Sequence, residues 1–127
     1  MSDYKVTIKH SSMELTPKQR LMYKDTTDAI KLDEAVQENM PLAIEPIAYV
    51  VLSIHNEKSD NPDYEQYLII SADGTKYVTG SSNFFDTFID IWDELGGVET
   101  DEAWMINIYK KPSNNFKGKF FLTCSVI

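Results

Sequence analysis

The chain is expected to be mostly β, with one long amphipathic helix set between its third and fourth main strands. Three observations carry that expectation. Alternating or β-branched stretches of strand length recur along the chain. Asp73-Gly74, a strong hairpin dipeptide, separates two of them. Phe85, Phe88, Trp92 and Leu95 recur at helical spacing just before Gly96-Gly97. Residues 1–127 are read as one domain, with 1–44 an N-terminal strand and helix extension and 45–127 the core.

Tyr4, Val6 and Ile8 alternate with Lys5, Thr7 and Lys9, which predicts a short strand. Thr16-Pro17-Lys18-Gln19 has the form of a helix start. Thr16 can cap, Pro17 suits the first helical position, and Gln19 can complete a capping box. That helix is expected to reach Lys24 and stop at Asp25-Thr26-Thr27-Asp28. Residues 29–36 are read as a short strand or turn. Residues 46–55 are apolar and β-branched without a helical period, and predict a long buried strand. A polar loop over 56–63 leads to a second strand at 65–71 and a third at 75–79. With Asp73-Gly74 as a two-residue turn, Ser71 pairs with Lys76 and Ile69 with Val78, while Ile70 pairs with Tyr77. Tyr67 and Lys76 then share an outer face and Tyr77 lies opposite. Gly80-Ser81-Ser82-Asn83 opens the helix with capping residues, and strands follow at 104–110 and 119–126.

Strand, strand, strand, helix, strand, strand is the order of an OB-fold, a five-stranded Greek-key barrel. Its middle strands, and the loops joining strands one to two and four to five, bind oligonucleotides. Here those loops are residues 56–64 and 111–118. The second is the basic part of an acidic protein. The chain has net charge -8, yet residues 103–127 hold no Asp or Glu. Lys110, Lys111, Lys117 and Lys119 surround Pro112-Ser113-Asn114-Asn115-Phe116. Local positive surface is what attracts a phosphate backbone, whatever the net charge.

Single-strand binding needs flat side chains for bases beside cations for phosphates. The expected set is Tyr64, Tyr67, Tyr77, Tyr109 and Phe116 for stacking, with Lys76, Lys110, Lys111, Asn115, Lys117 and Lys119 around them. Other chemistries find little to work with, and no catalytic residue, metal or cofactor is expected. His10 and His55 are the only histidines and have no partner at ligand spacing. Cys124 has no electropositive neighbour in sequence to activate it, and a lone cysteine forms no internal disulfide, which suits a reducing cytoplasm. Gly80-Ser81-Ser82 lacks the lysine of a phosphate loop. Asp86, Asp90 and Glu94 are read as the wet face of the helix. No apolar run approaches the roughly 20 residues of a membrane span. Met1 to Lys5 lacks a signal-peptide stretch. Hydrophobic content of 43% fits a folded globular chain.

Residues 69–77, which read Ile-Ile-Ser-Ala-Asp-Gly-Thr-Lys-Tyr, are followed by the helix over 84–95, by residues 106–110, and by Lys117-Gly118-Lys119-Phe120-Phe121. Together they resemble the small single-stranded DNA-binding proteins of tailed phages, nearest to those of phages that prime replication with a protein. The resemblance covers about residues 45–127. It implies an OB-fold, binding to single-stranded DNA without sequence preference, and protection of displaced strands in a host cytoplasm. It also implies that Tyr67 and Tyr77 stack on bases. Phage or host replication proteins are the further partners it suggests, with the protein a monomer or weak oligomer. The N-terminal residues 1–44 and the apolar final strand, in place of an acidic tail, depart from the pattern. The alternative is an acidic phage inhibitor or DNA mimic that binds a host protein, because 20 Asp and Glu outnumber 12 Lys and Arg.

Overall fold

The first elements follow from local sequence. β1 (Tyr4–Ser11) alternates as its residues do. The Gln19 N–H donates to the Thr16 hydroxyl at 3.2 Å, and the Thr16 N–H donates to Gln19 Oε1 at 2.9 Å. That reciprocal box, with Pro17 behind it, starts α1 (Pro17–Lys24). The computed structural model describes residues 4–38, 40–58, 60, 62–97, 104–112 and 119–127.

Residues 29–36, expected as a short strand or turn, form β2 (Ile30–Lys31) and then α2 (Leu32–Glu38). Seven residues are two helical turns, too few for a period to stand out. Burial of Leu32, Ala35 and Val36 on one side selects the helix. β3 (Leu42–Ile44), β4 (Pro46–Asn56), β5 (Asp63–Ser71) and β6 (Lys76–Thr79) follow. Ser81 caps α3 (Ser82–Leu95) by accepting from the Phe84 N–H at 3.2 Å. Gly96, at φ 77°, ends it in the left-handed conformation that glycine adopts without strain. β7 (Ile106–Pro112) and β8 (Phe120–Val126) complete the chain.

The strands form two sheets. The first has the order β1-β4-β5-β6-β2, antiparallel except where β2 runs parallel to β6. The second has the order β3-β7-β8 and is antiparallel throughout. β3 and β4 are separated by Glu45 alone, so one stretch of chain feeds both sheets. The protein is thus mostly β, as its sequence predicts. Its sheets are open, and a barrel closure is not among the strand pairings of the described residues. β2 takes the outer edge of β6. The N-terminal 44 residues supply both edges of the first sheet and the edge strand β3 of the second.

Both faces of the first sheet are buried. Ala48, Val50, Leu52, Ile54, Leu68, Ile70 and Val78 lie on one face, with Leu15, Tyr23 and Ala29 packed over them. Tyr49, Val51, Tyr67 and Ile69 lie on the other, in one cluster with α3, α2 and the inner face of the second sheet. Burial on both faces is why β4 reads as a nearly continuous apolar run rather than an alternating one.

The β5–β6 turn corrects the expected register by one residue. Ser71 O accepts from the Gly74 N–H, and the Ser71 N–H donates to Thr75 O, both at 2.9 Å. The loop is therefore Ala72-Asp73-Gly74, three residues, with only Gly74 at positive φ (89°). A two-residue primed turn of the Asp-Gly kind needs positive φ at both positions, and Asp73 does not adopt it. Tyr67 consequently pairs with Thr79, Ile69 with Tyr77, and Ile70 with Lys76. Tyr67 and Tyr77 share a face, and Lys76 is on the opposite one. Gly74→Ala is expected to lower stability by about 1–2 kcal/mol through backbone strain alone. The added Cβ would meet nothing within 4 Å. A urea midpoint equal to that of the unchanged protein would contradict this turn.

Candidate nucleic-acid interface

In the second sheet, strand periodicity divides the side chains cleanly. Ile44, Ile106, Ile108, Leu122 and Cys124 turn inward and are buried. Asn107, Tyr109 and Lys111 on β7, and Phe121, Thr123 and Ser125 on β8, occupy the outer face. Lys111 is paired directly with Phe121, and Tyr109 with Thr123. The Lys111 ammonium lies 5.7 Å from the centroid of the Tyr109 ring, within the range of a cation–π contact. Phe121 is 42% exposed, so its ring is open to a ligand. None of these outer residues is acidic. Flat rings beside an ammonium on an uncharged polar floor can stack bases and hold a phosphate.

The expected site residues separate into groups. Tyr109 and Lys111 are brought together on this face. Lys119 is exposed just before β8. Lys110, the neighbour of Lys111 in the strand, points to the opposite side and faces Asp33 of α2, with Nζ 3.7 Å from its carboxylate. Asn115, Phe116 and Lys117 lie outside the described residues. Phe121 was not among the expected residues. The signal for it was alternation in the final strand, since Phe121 has the parity of Thr123 and Ser125, opposite to that of the apolar Leu122 and Cys124.

The middle strands hold their expected residues in other roles. Tyr67 is buried and stacked on Phe85, with centroids 4.4 Å apart and planes at 13°. Burial first, and then the Glu65 carboxylate, raises its hydroxyl pKa, and that hydroxyl donates to Glu65 at 3.4 Å. Tyr77 is half-buried and lines a cleft of about 370 Å³ with Ile30, Glu34, Ala35, Glu38 and Leu42. Burial raises its hydroxyl pKa as well. Tyr64 is half-buried and packs against the cluster on the other sheet face. β5 and β6 therefore present no outer face of the kind expected for Tyr67 and Lys76.

Lys76 serves the N-terminal segment. Its ammonium donates to Met22 O at 3.0 Å and Asp25 O at 2.9 Å, and pairs with Asp28 at 2.6 Å. Carbonyls at a helix C-terminus lack helical partners, and a cation there satisfies them. Only 11% of the side chain is exposed. Lys76→Met is expected to cost about 1.5–3 kcal/mol of stability, the range for hydrogen bonds to a charged group. It is expected to leave nucleic-acid affinity unchanged. Weakened binding with full stability would return Lys76 to the interface.

Cys124 is buried inside the second sheet, and burial pushes its thiol up to about 12. It is a thiol at neutral pH rather than a nucleophilic thiolate. His55 lies at the far end of β4, with Nδ1 2.7 Å from Asp63 and Nε2 3.5 Å from Glu57. These carboxylates sit on opposite ring nitrogens and do not converge on one point. No helix among the described residues is long and apolar enough to cross a membrane. Comparison of the chain with protein-family models, curated proteins and solved structures finds no match.

Proposed function

We propose that this protein binds single-stranded DNA without sequence preference, on the outer face of the β3-β7-β8 sheet. The observation that carries the reading is Tyr109 beneath the Lys111 ammonium, with Phe121 exposed across the strand pair. Tyr109 and Phe121 stack on bases, and Lys111 and Lys119 hold phosphates. Residues 113–118, which include Asn115, Phe116 and Lys117, connect these two strands in sequence and lie outside the described residues.

The element order supports the reading in a coarser way. One chain stretch shared by two sheets, a helix before the last two strands, and a basic connection between those strands are OB-like features. Relative to that arrangement, the interface moves from the middle strands to β7 and β8, because α3 and the N-terminal segment cover the middle ones.

Titration with a short oligo-dT, followed by intrinsic fluorescence, tests the reading. Saturable quenching should weaken with salt, with a slope of log K on log salt of roughly -2 for about three phosphates on a single strand. A signal that never changes at low salt, with no shift on a native gel, would remove the proposal.

A second reading rests on the exposed side of α3, where Asp86, Asp90, Asp93 and Glu94 follow one another with no basic residue on the helix. In that reading the protein occupies the nucleic-acid channel of a host protein. The same titration separates the two, since an inhibitor of that kind does not retain oligo-dT.

A further inference from the structure

α1 rests on the first sheet without fully burying any of its own residues. Tyr23, and Leu15 just before the helix, pack on the sheet, and Lys76 holds the carbonyls at the helix end. The other side of α1 carries Leu21, 70% exposed, and Met22, 49% exposed. Lys18 and Lys24 stand three residues to either side of Leu21 and share its face. They are about 9 Å apart along the axis, at about 1.5 Å per residue. Arg20 is a third cation, and the helix has no acidic residue.

α3 has the complementary pattern and packs on the other face of the first sheet. Asp86, Asp90, Asp93 and Glu94 are exposed along it, and it has no basic residue. Beside Asp90 and Glu94 lies an open apolar groove of about 250 Å³ lined by Ile91, Leu95 and Val126. It has room for a leucine side chain. Asp90 and Glu94 are one turn apart, about 6 Å along the axis. Among the described residues, none of these carboxylates and none of the three α1 cations forms an ion pair.

We propose that α1 of one copy docks into the α3 groove of a second copy. Leu21 fills the groove over Ile91, Leu95 and Val126, and Lys18 and Lys24 meet the Asp90 and Glu94 carboxylates. Burial of the leucine supplies most of the affinity. The charges, worth little singly at a surface, set the orientation. A second copy is the occupant because one chain carries both halves of the match, an apolar centre framed by cations and an apolar groove framed by carboxylates. α1 and α3 lie on opposite faces of the first sheet, so a copy cannot close the contact on itself. A contact between unlike surfaces leaves a free helix at one end and a free groove at the other, and therefore repeats head to tail. Val126 has the inward parity of Leu122 and Cys124, so the contact does not use the outer face of β7 and β8. It stands whether or not the protein binds nucleic acid.

Sedimentation of the full chain without nucleic acid tests the contact. The unchanged protein should grow past a dimer as its concentration rises, and should shift toward monomer at roughly 0.5 M salt, where charges are screened over a few ångströms. Leu21→Glu, and separately the double variant Asp90→Lys with Glu94→Lys, should each weaken association at least about tenfold. Their far-UV circular dichroism should be unchanged, because all three side chains are exposed in one copy. Mixed together, the two variants should form a one-to-one dimer and nothing larger, since one keeps an intact groove and the other an intact helix. An unchanged protein that is monomeric up to millimolar concentration overturns the proposal, and one that stops at a dimer overturns its head-to-tail form. Assembly that ignores either variant overturns it too, as does a mixture that stays monomeric while the unchanged protein assembles.

Discussion

Phe88→Ala is expected to lower stability by about 3–5 kcal/mol, the range for deleting a fully buried phenylalanine. Phe88 is 0% exposed and sits where α3 meets the first sheet. Its ring meets Tyr49 edge-on at 6.0 Å and Trp92 at 5.8 Å, with Phe85 at 6.0 Å on the same helix. The rings around it are held by the sheet on one side and by helix geometry on the other, so the cavity cannot collapse easily. A domain of this size holds only about 5–15 kcal/mol in total. The variant should therefore unfold at a much lower urea concentration, with Trp92 fluorescence reporting the change. Ile91→Ala, at a half-exposed site on the same helix, should cost far less. Equal small losses at both positions would mean that α3 is not docked through Phe88.

The paired replacement of Tyr109 and Phe121 by alanine is expected to reduce affinity for oligo-dT by about 2–6 kcal/mol, at about 1–3 kcal/mol for each stacked base. That corresponds to a loss of at least about thirtyfold in Kd, at roughly 1.4 kcal/mol per tenfold. Both side chains are on the solvent face, so the urea midpoint should move little. Lys111→Ala should weaken binding less and reduce the salt slope by roughly 0.7, as removal of one phosphate contact does. Unchanged affinity in the double variant, measured on folded protein, would exclude the outer face of the second sheet as the binding surface.

The local signals that succeeded are those whose physics is complete within a few residues. The Thr16 capping box, the Ser81 cap and the Gly96 stop each involve backbone groups no more than four residues away. The apolar strand β4 was legible because a chain buried on both faces has to be apolar along its whole length. The Asp73-Gly74 turn was legible as a turn but not in its type. A primed two-residue loop and a three-residue loop ending in a left-handed glycine both use that dipeptide. One residue of difference exchanged the faces of Lys76 and Tyr77.

By itself, the sequence determined the mostly β class, the capped helices, the approximate strands and an acid-free basic end on an acidic chain. These follow from propensity, periodicity and charge, which are properties of neighbours along the chain. Only the tertiary structure decided that Tyr67 belongs to the core, that Lys76 serves the end of α1, and that Lys110 and Lys111 part company. Those outcomes depend on which surface another element covers. The partners are distant in sequence, as Phe85 is from Tyr67 and Met22 is from Lys76. The same distant packing left Tyr109, Lys111 and Phe121 uncovered on one face, since α3 and the first sheet bury only the inner side of β7 and β8.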